Sequence, residues 1–455
     1  MTKITATSLH KQIQNIKRTF LQVTGIPTTA GLSTGWLKKL AESVNLRRDT
    51  VYTPLVTLRI FLMQVLSDDG SCNAAVARFG AERIAEGEEA VSANSGPYCA
   101  ARRRLRLDLL ESGVRETGAA TQKAAKSWKW RGHSVVIVDA TTVLMPDTPD
   151  NQAAYPQQST QKRGLGFPIT RIGALISLAS GAIIDYATAP YGGKGTGESS
   201  LLARTWGALQ SGDLLLGDRY YATYAILARA ISGNIDALMQ THANRKVDYR
   251  TGKRLGERDH LVQWKKPAAK PVWISDAEYA ALPETITLRE FRSGGLNCIT
   301  TLIDAKRYPK KELSTLYKER WKIEVDFRSI KTHMGMEMLH CKTSEMVKKE
   351  IAVNFLAYNL IRNAILQSAL AHDKEPRKIS FRGTVQWLLA SASSIVRAAN
   401  KMLSTWVENL LSAISSNSVG CRSQSPQPRV VKRRPKSYPL MTKPRADMCL
   451  ESQIQ

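Results

Sequence analysis

The sequence lacks paired cysteines, a signal-like N-terminus and any long uninterrupted apolar run. Its six cysteines are scattered without a Cys-x-x-Cys pair, which argues against a disulfide framework and indicates reduced thiols. His333, His340 and Cys341 are close in sequence but lack the second ligand pair that a structural zinc site needs. The most apolar helical stretch, residues 351–371, is interrupted by asparagines and an arginine. We therefore expect a cytoplasmic protein with no membrane span.

Acidic residues are scarce relative to basic ones. The 455-residue chain has 65 Lys and Arg against 39 Asp and Glu, a net charge of +26. A surplus of this size predicts a polyanionic partner, because each neutralised phosphate releases counterions. A basic protein that binds a membrane surface needs an amphipathic anchor or a lipidation signal, and neither is apparent in the sequence.

One segment near residue 320 concentrates groups suited to phosphate chemistry. Tyr317, Arg320, Glu324 and Lys331 are spaced Y-x2-R-x3-E-x6-K. At about 100° per residue, they fall within roughly 60° on one face of a helix. A carboxylate takes a hard cation, while the cationic groups and the phenol hold phosphate oxygens. The alternative is a solvated face with an i,i+4 ion pair between Arg320 and Glu324.

Two aspartates upstream each follow an apolar, strand-like run. Residues 133–139 predict a buried strand with Asp139 at its far end, and residues 213–218 repeat the pattern with Asp218. Ligands of open α/β sheets lie at strand ends, so these carboxylates and Glu324 could hold two divalent metal ions about 3.5–4 Å apart. Taken alone, an aspartate at such a position is more often a turn or cap residue.

Three blocks of the sequence, residues 139–141, 216–221 and 317–331, resemble the DDE transposases of bacterial insertion sequences. The resemblance is to the insertion-sequence-four family, whose signature is the Y-R-E-K helix. It implies a ribonuclease H-like catalytic core that depends on Mg²⁺, with Mn²⁺ able to substitute, and two ions per active site. It also implies cut-and-paste transposition through a DNA hairpin, by a homodimer that binds terminal inverted repeats and target DNA. Such an enzyme would act in the bacterial cytoplasm, at the nucleoid when bound to DNA.

The resemblance also assigns DNA-binding roles outside the carboxylates. Tyr317, Arg320 and Lys331 are expected to hold phosphates near the scissile bond, and Arg219 is a further candidate. An aromatic side chain in an insertion between Asp218 and Glu324 would stack on a base flipped from the transposon end. The candidates there are Trp264 and Trp273, and the competing interpretation of each is a tryptophan of the core.

The predicted organisation has three parts and an α/β fold class. Residues 1–125 are expected to form a helical DNA-binding domain, with a basic run at 102–104 that either contacts DNA ends or is a solvated charge run. Residues 130–375 are expected to form the ribonuclease H-like core in the order βββαβαβ, with a β-rich insertion at about 243–295. Residues 376–455 are expected to form helices and a basic, flexible tail that is disordered or extended.

Two other functions remain open from the sequence alone. One is a ribonuclease H-like nuclease that cuts DNA without joining strands, and the spacing of the Tyr317–Lys331 segment argues against it. The other is a transposase-derived regulator that binds DNA without catalysis, and the complete set of three carboxylates argues against that.

Overall fold

The computed structural model describes residues 32–44, 50–397, 403–419 and 440–453. The beginning of the predicted N-terminal domain, residues 1–31, therefore lies outside the described residues. Most of the predicted basic tail, residues 420–439, lies outside them as well.

The described part of the N-terminal region is helical. Its helices are α1 Thr34–Ala41, α2 Pro54–Val65, α3 Cys72–Ala85, α4 Gly96–Arg104 and α5 Leu107–Ala124. Helix α2 begins as its sequence predicts: Pro54 occupies the first turn, where no amide donor is needed, and the Thr53 side chain accepts a hydrogen bond from the Val56 amide.

The described residues form one nine-stranded sheet. Its strands are β1 Val135–Leu144, β2 Ile169–Ser177, β3 Ile183–Pro190, β4 Leu214–Gly217, β5 Asp236–Gln240, β6 Lys253–Gly256, β7 Asp259–Lys265, β8 Thr285–Ser293 and β9 Leu296–Thr300. Their order across the sheet is β3-β2-β1-β4-β5-β9-β8-β7-β6. β1, β4 and β5 are parallel to one another, while β2, β3 and the β9-to-β6 half pair in the antiparallel sense.

The segment between β5 and β9 carries the strands of the predicted insertion. Strands β6, β7 and β8 and the short helix α9 (Asp276–Ala281) lie in this part of the chain. The half-sheet is continuous with the core, because β9 pairs directly with β5, for example Met239 with Ile299.

The remaining helices cover both faces of the sheet. Those between the strands are α6 Pro149–Ala154, α7 Glu198–Thr205 and α8 Tyr224–Ser232, and those after β9 are α10 Lys310–Lys318, α11 Lys322–Arg328, α12 Ser344–Ala371, α13 Phe381–Arg397, α14 Leu403–Ser416 and α15 Arg445–Gln453. None of the helices that the structure describes combines the length and apolar character needed to cross a membrane.

Helix α12 ties the N-terminal helices to the sheet. It is buried over most of its 28 residues and packs against α5 on one side. The Asn359 side chain bonds both backbone groups of Ile183 in β3, at 2.8 Å each, and donates to the Val114 carbonyl of α5 at 3.0 Å. One hydrophobic core thus includes the N-terminal helices, the sheet and the C-terminal helices.

Candidate active site

The sheet places Asp139 and Asp218 opposite each other. Parallel pairing of β1 with β4 sets Ile137 against Leu216, and continuing that register by two residues sets Asp139 against Asp218. Asp218 follows the last residue of β4, as predicted. Asp139 does not end its strand, because β1 continues to Leu144 through its pairing with β2. The prediction of a strand ending at Asp139 was therefore wrong, although the aspartate still lies where the pairing with β4 stops.

The third carboxylate, that of Glu324, lies near Asp139 because both side chains contact Arg320. The Arg320 guanidinium lies 3.7 Å from Asp139 Oδ2 and 3.5 Å from Glu324 Oε1. The Asp139 and Arg320 side chains are about one-fifth exposed, whereas that of Glu324 is 60% exposed. Glu324 of helix α11 therefore lies on the solvent side of the partly buried Asp139.

The segment that carries these groups is not one uniform helix. Helix α10 ends at Lys318, a 3₁₀ turn covers Glu319–Trp321, and α11 is followed by a π-helical turn over Ser329–His333. A constant 100° per residue was thus the wrong geometry for the whole segment. Single π turns recur at functional sites of helices.

The electrostatics of the site disfavour negative charge on Asp139. The pKa of Asp139 is raised to about 6, chiefly because burial disfavours the carboxylate, and also because Asp218 and Glu324 lie nearby. The Ala140 amide, which donates to Asp139 Oδ1 at 2.8 Å, and the Arg320 guanidinium partly offset this rise. A cation at this position would remove the penalty.

The residues fit a divalent cation by donor type. Carboxylate oxygens are the ligands that Mg²⁺ prefers, and Asp139, Asp218 and Glu324 provide them. Within the described residues, no three acidic, histidine or cysteine side chains converge closely enough to form a coordination sphere as they stand. Because Arg320 lies between Asp139 and Glu324, metal binding would require this guanidinium to move aside.

The other predicted phosphate-binding side chains surround the carboxylates unequally. Tyr317 is 7% exposed, and its burial is the main reason why its pKa is raised to about 12. Lys331 is half-buried within the π-helical turn. Arg219 is exposed directly after Asp218, with its guanidinium 5.6 Å from the centre of the Tyr220 ring.

The two candidate tryptophans differ in exposure. Trp264 is 5% exposed, its indole donates to Glu290 Oε1 at 3.2 Å, and the Arg245 guanidinium lies 3.7 Å from the centre of its ring. This environment favours the core interpretation for Trp264. Trp273 is half-buried at the edge of the same core, so only this indole offers accessible surface.

Two side chains that sequence reasoning did not select also lie at the site. Glu198 begins α7, and Tyr221 lies three residues after Asp218; the charges of Asp139 and Asp218 act on both groups. An acidic residue in the first turn of a helix is common for reasons of helix polarity alone, so Glu198 carried no distinctive signal.

Comparisons with known proteins identify the family to which the chain belongs. Residues 130–360, just over half of the chain, match the family model described as Transposase DDE domain. The chain is 28% identical over 356 residues to the transposase InsG for insertion sequence element IS4 of Escherichia coli (strain K12), covering 75% of this chain and 77% of that protein. It is also similar to a chain of the piggyBac transposase synaptic complex with hairpin DNA, solved by cryo-electron microscopy, at a TM-score of 0.43 and 10% identity over 88% of this chain and 85% of that one. That likeness is too distant to bear on mechanism. The family match and the IS4 relative show that the chain belongs to the DDE transposases, in the insertion-sequence-four family that its Tyr317–Lys331 segment resembles.

Proposed function

We propose that this transposase cuts DNA at the ends of an insertion sequence and joins them to a target, using Asp139, Asp218 and Glu324 as its catalytic carboxylates. The observation that carries the proposal is the register of β1 and β4, which sets the two aspartates opposite each other. The Arg320 contacts to Asp139 and Glu324 bring the third carboxylate to the same point.

These three side chains would hold two Mg²⁺ ions, with Mn²⁺ able to substitute. When bound, the ions would activate the attacking oxygen and stabilise the leaving oxygen of an in-line displacement at phosphorus. The protein groups position the phosphodiester and stabilise its charge, which is where most of the catalytic effect of such sites arises.

Arg320, Lys331 and Tyr317 are proposed to hold phosphates beside the scissile bond. Arg320 is suited to this role because a guanidinium that leaves its two carboxylates for a cation is free to donate to phosphate oxygens in a bidentate manner. The exposed Arg219 would contact the strand on the Asp218 side.

The core is proposed to be ribonuclease H-like, with DNA also held by the N-terminal helices. Of the basic run in α4, Arg103 and Arg104 are exposed and available to DNA. Arg102 is not, because its guanidinium is buried over the Phe61 ring, at 3.9 Å, and donates to Cys72 Sγ and Cys341 Sγ at 3.0 Å each. Arg102 therefore stabilises the fold.

The finer steps of transposition follow the family expectation. We propose a homodimer in the synaptic complex, bound to terminal inverted repeats and then to target DNA in the bacterial cytoplasm, at the nucleoid. A hairpin on the transposon end would use a flipped base, and the accessible part of Trp273 makes it a better stacking candidate than Trp264.

Substitution of the three carboxylates tests the proposal. Asp139→Asn, Asp218→Asn and Glu324→Gln should each lower cleavage of a transposon-end duplex by about 100-fold or more, since each removes a ligand of the cations that would stabilise the reacting phosphate. Binding of the same duplex should stay within a few fold, because these groups ligate cations and do not contact DNA.

The matched controls are Asp276→Asn and Glu86→Gln, which change exposed acids outside the site and should leave cleavage unchanged. Retained cleavage in any one of the three carboxylate variants would remove that residue from the site. Assaying strand joining on pre-cut ends separates the alternatives: a nuclease would cut without joining, and a regulator would do neither.

A further inference from the structure

Helix α7 brings a further carboxylate towards the active site. Its first residue is Glu198, and the helix packs on strands β1, β2 and β3. The close approach depends on Gly173 of β2, where an added Cβ would lie 2.7 Å from the Leu201 Cβ of α7. Gly173 pairs with Ala140, the residue next to Asp139, so α7 lies across the part of β1 that carries the aspartate.

Glu198 is half-buried and has no direct cationic partner. Among the described residues, no ion pair within 4 Å and no side-chain hydrogen bond involves its carboxylate. The pKa of Glu198 is raised to about 6, chiefly by burial and then by the charges of Asp139 and Asp218, against a weaker opposing effect of Arg171. The Arg171 guanidinium itself is directed elsewhere, to the Thr196 carbonyl at 2.9 Å. Burying a carboxylate beside two others is unfavourable for the protein alone, which indicates a ligand of opposite charge.

A second, independent observation concerns Tyr221. This side chain is fully buried, and its hydroxyl is among the few buried polar atoms of the described residues that have no hydrogen-bond partner. The ring packs beneath Gly217, close to Val138 of β1. A phenol is protonated at neutral pH, so this hydroxyl can donate a hydrogen bond. Buried hydroxyls are normally satisfied, so this unsatisfied hydroxyl, three residues after Asp218, is available for a partner that forms when the site is loaded.

The carboxylates approach from both faces of the sheet. Leu202 of α7 and Tyr221 belong to the core on one face, whereas Tyr317 and Ile323 of the Tyr317–Lys331 segment belong to the core on the other. The pairing of β1 with β4 ends at Ile137 and Leu216, so no ladder joins the two strands beside Asp139 and Asp218, where side chains from the two faces can meet.

We propose that Glu198 is a fourth carboxylate of the transposase metal site and that the Tyr221 hydroxyl holds it in place. The inference rests on the proposed function of Asp139, Asp218 and Glu324. Four carboxylates supply four negative charges, which equal the charge of two divalent cations, whereas three leave one positive charge in excess. Tyr221 touches no reacting atom in this scheme and is a positioning residue.

Binding of Mn²⁺ to the full-length protein without DNA tests the proposal independently of cleavage. Isothermal titration calorimetry would compare wild type, Glu198→Gln and Tyr221→Phe, with Glu86→Gln as the control for loss of an exposed acid. Glu198→Gln should weaken Mn²⁺ affinity by about tenfold or more, and Tyr221→Phe by a smaller factor, as expected for a ligand and for the group that orients it. The melting temperature of Glu198→Gln in EDTA should be equal to or above that of wild type, because a repelling charge has been removed. A residue needed only for folding would lower it.

Adding Asp139→Asn distinguishes the possible failures. If Asp139→Asn loses Mn²⁺ affinity while Glu198→Gln binds like wild type, the fourth-carboxylate proposal is overturned and the proposed function stands. If neither variant changes Mn²⁺ affinity, the metal site itself has been assigned wrongly. If Glu198→Gln weakens binding but Tyr221→Phe does not, the hydroxyl has no role in positioning.

Discussion

Arg320 lies between two carboxylates of the candidate active site. It contacts Asp139 and Glu324 within the protein, and we propose that it transfers to a DNA phosphate in the complex. Its guanidinium thus compensates carboxylate charge that a cation would otherwise neutralise. A lysine could not replace it fully, because a single ammonium cannot bridge two carboxylates with the same planar geometry.

Loss of the Arg320 phosphate contact should be visible in the salt dependence of DNA binding. Arg320→Ala should lower the magnitude of the slope of log K against log salt by about 0.9, the value for one phosphate, and Lys331→Ala should do the same. Fluorescence anisotropy with a transposon-end duplex at several salt concentrations measures this slope. Arg250→Ala, which removes a 90% exposed side chain in the insertion, is the comparison. An unchanged slope for Arg320→Ala would leave this arginine with only its contacts to the carboxylates.

The raised pKa of Asp139 predicts a pH-dependent effect on stability. Between pH of about 4 and 6 the folded protein keeps a proton on Asp139 that the unfolded chain has lost, so this group lowers stability as pH rises through that window. Asp139→Asn should therefore stabilise the protein in EDTA at pH 8, by about 1–3 kcal/mol, an upper range set by the size of the pKa shift. The gain should vanish near pH 4, where the aspartate is protonated in both states.

Thermal unfolding in EDTA between pH 4 and 8 provides the measurement for Asp139→Asn, and Asp276→Asn provides a control at an exposed aspartate. Destabilisation by Asp139→Asn at pH 8 would mean that hydrogen bonding at this site outweighs the unfavourable burial of its charge.

At the scale of elements, a buried ion cluster fixes the helix that carries Glu324. Asp326, two residues further along α11, is fully buried, and its Oδ1 accepts from Arg362 at 2.5 Å, Arg377 at 2.6 Å and Tyr358 at 3.1 Å. Arg377 also donates to backbone carbonyls at the β2–β3 turn. Helix α11, helix α12 and the β2–β3 hairpin are thus joined through a single carboxylate.

Breaking this cluster should cost more stability than the loss of one hydrogen bond. Asp326→Ala should lower the free energy of unfolding by about 3–5 kcal/mol, because it leaves the buried guanidinium of Arg362 and the partly buried one of Arg377 without their anion. Tyr358→Phe removes the hydroxyl that donates to Asp326 and accepts from Arg362 Nε at 2.8 Å, and it should cost less, about 2 kcal/mol. Urea denaturation of both variants measures the difference. Similar values for the two would show that the arginines find other partners, and that Asp326 does not fix the helix.

The strands of the core could be predicted because each one is a short apolar run bounded by turn residues. Runs of this kind predict strands at about 168–179, 182–189, 213–217 and 235–240, and the observed strands β2, β3, β4 and β5 begin and end within two residues of these bounds. Burial by distant residues could not be predicted in this way. Arg102 lies in a basic run typical of a surface, but it is buried and contacts Cys341. Trp264 was a candidate for base stacking, but its ring is covered by Arg245. The same limit applies to the change from 3₁₀ to π geometry in the Tyr317–Lys331 segment, since helical periodicity assumes constant pitch.

At the scale of the whole molecule, part of the net charge of +26 lies in a basic C-terminal segment. Residues 421–446 contain eight Lys and Arg and no acid. Because nonspecific DNA binding depends on the number of phosphates neutralised, this segment should contribute affinity without contributing to the chemistry.

Deletion of residues 421–455 should weaken binding to unrelated DNA and leave the cleavage rate of pre-bound ends nearly unchanged. A Gly/Ser segment of equal length in place of residues 421–446 separates charge from length, and should weaken binding as much as the deletion does. Affinity for a random duplex at low salt and single-turnover cleavage are the two measurements. Unaltered affinity in both variants would reduce the tail to a role in solubility.

The pairing of β5 with β9 also bears on aggregation. Without the half-sheet from β6 to β9, the outer edge of β5 would expose a row of unpaired backbone groups beside apolar side chains, which is a template for association with another copy. In the intact chain that side of the sheet ends instead in β6, a strand of only four residues whose Lys253 and Arg254 are exposed. Short, positively charged edge strands discourage intermolecular pairing. A variant of the enzyme without strands β6 to β9 should therefore self-associate. This expectation does not depend on whether the half-sheet binds DNA.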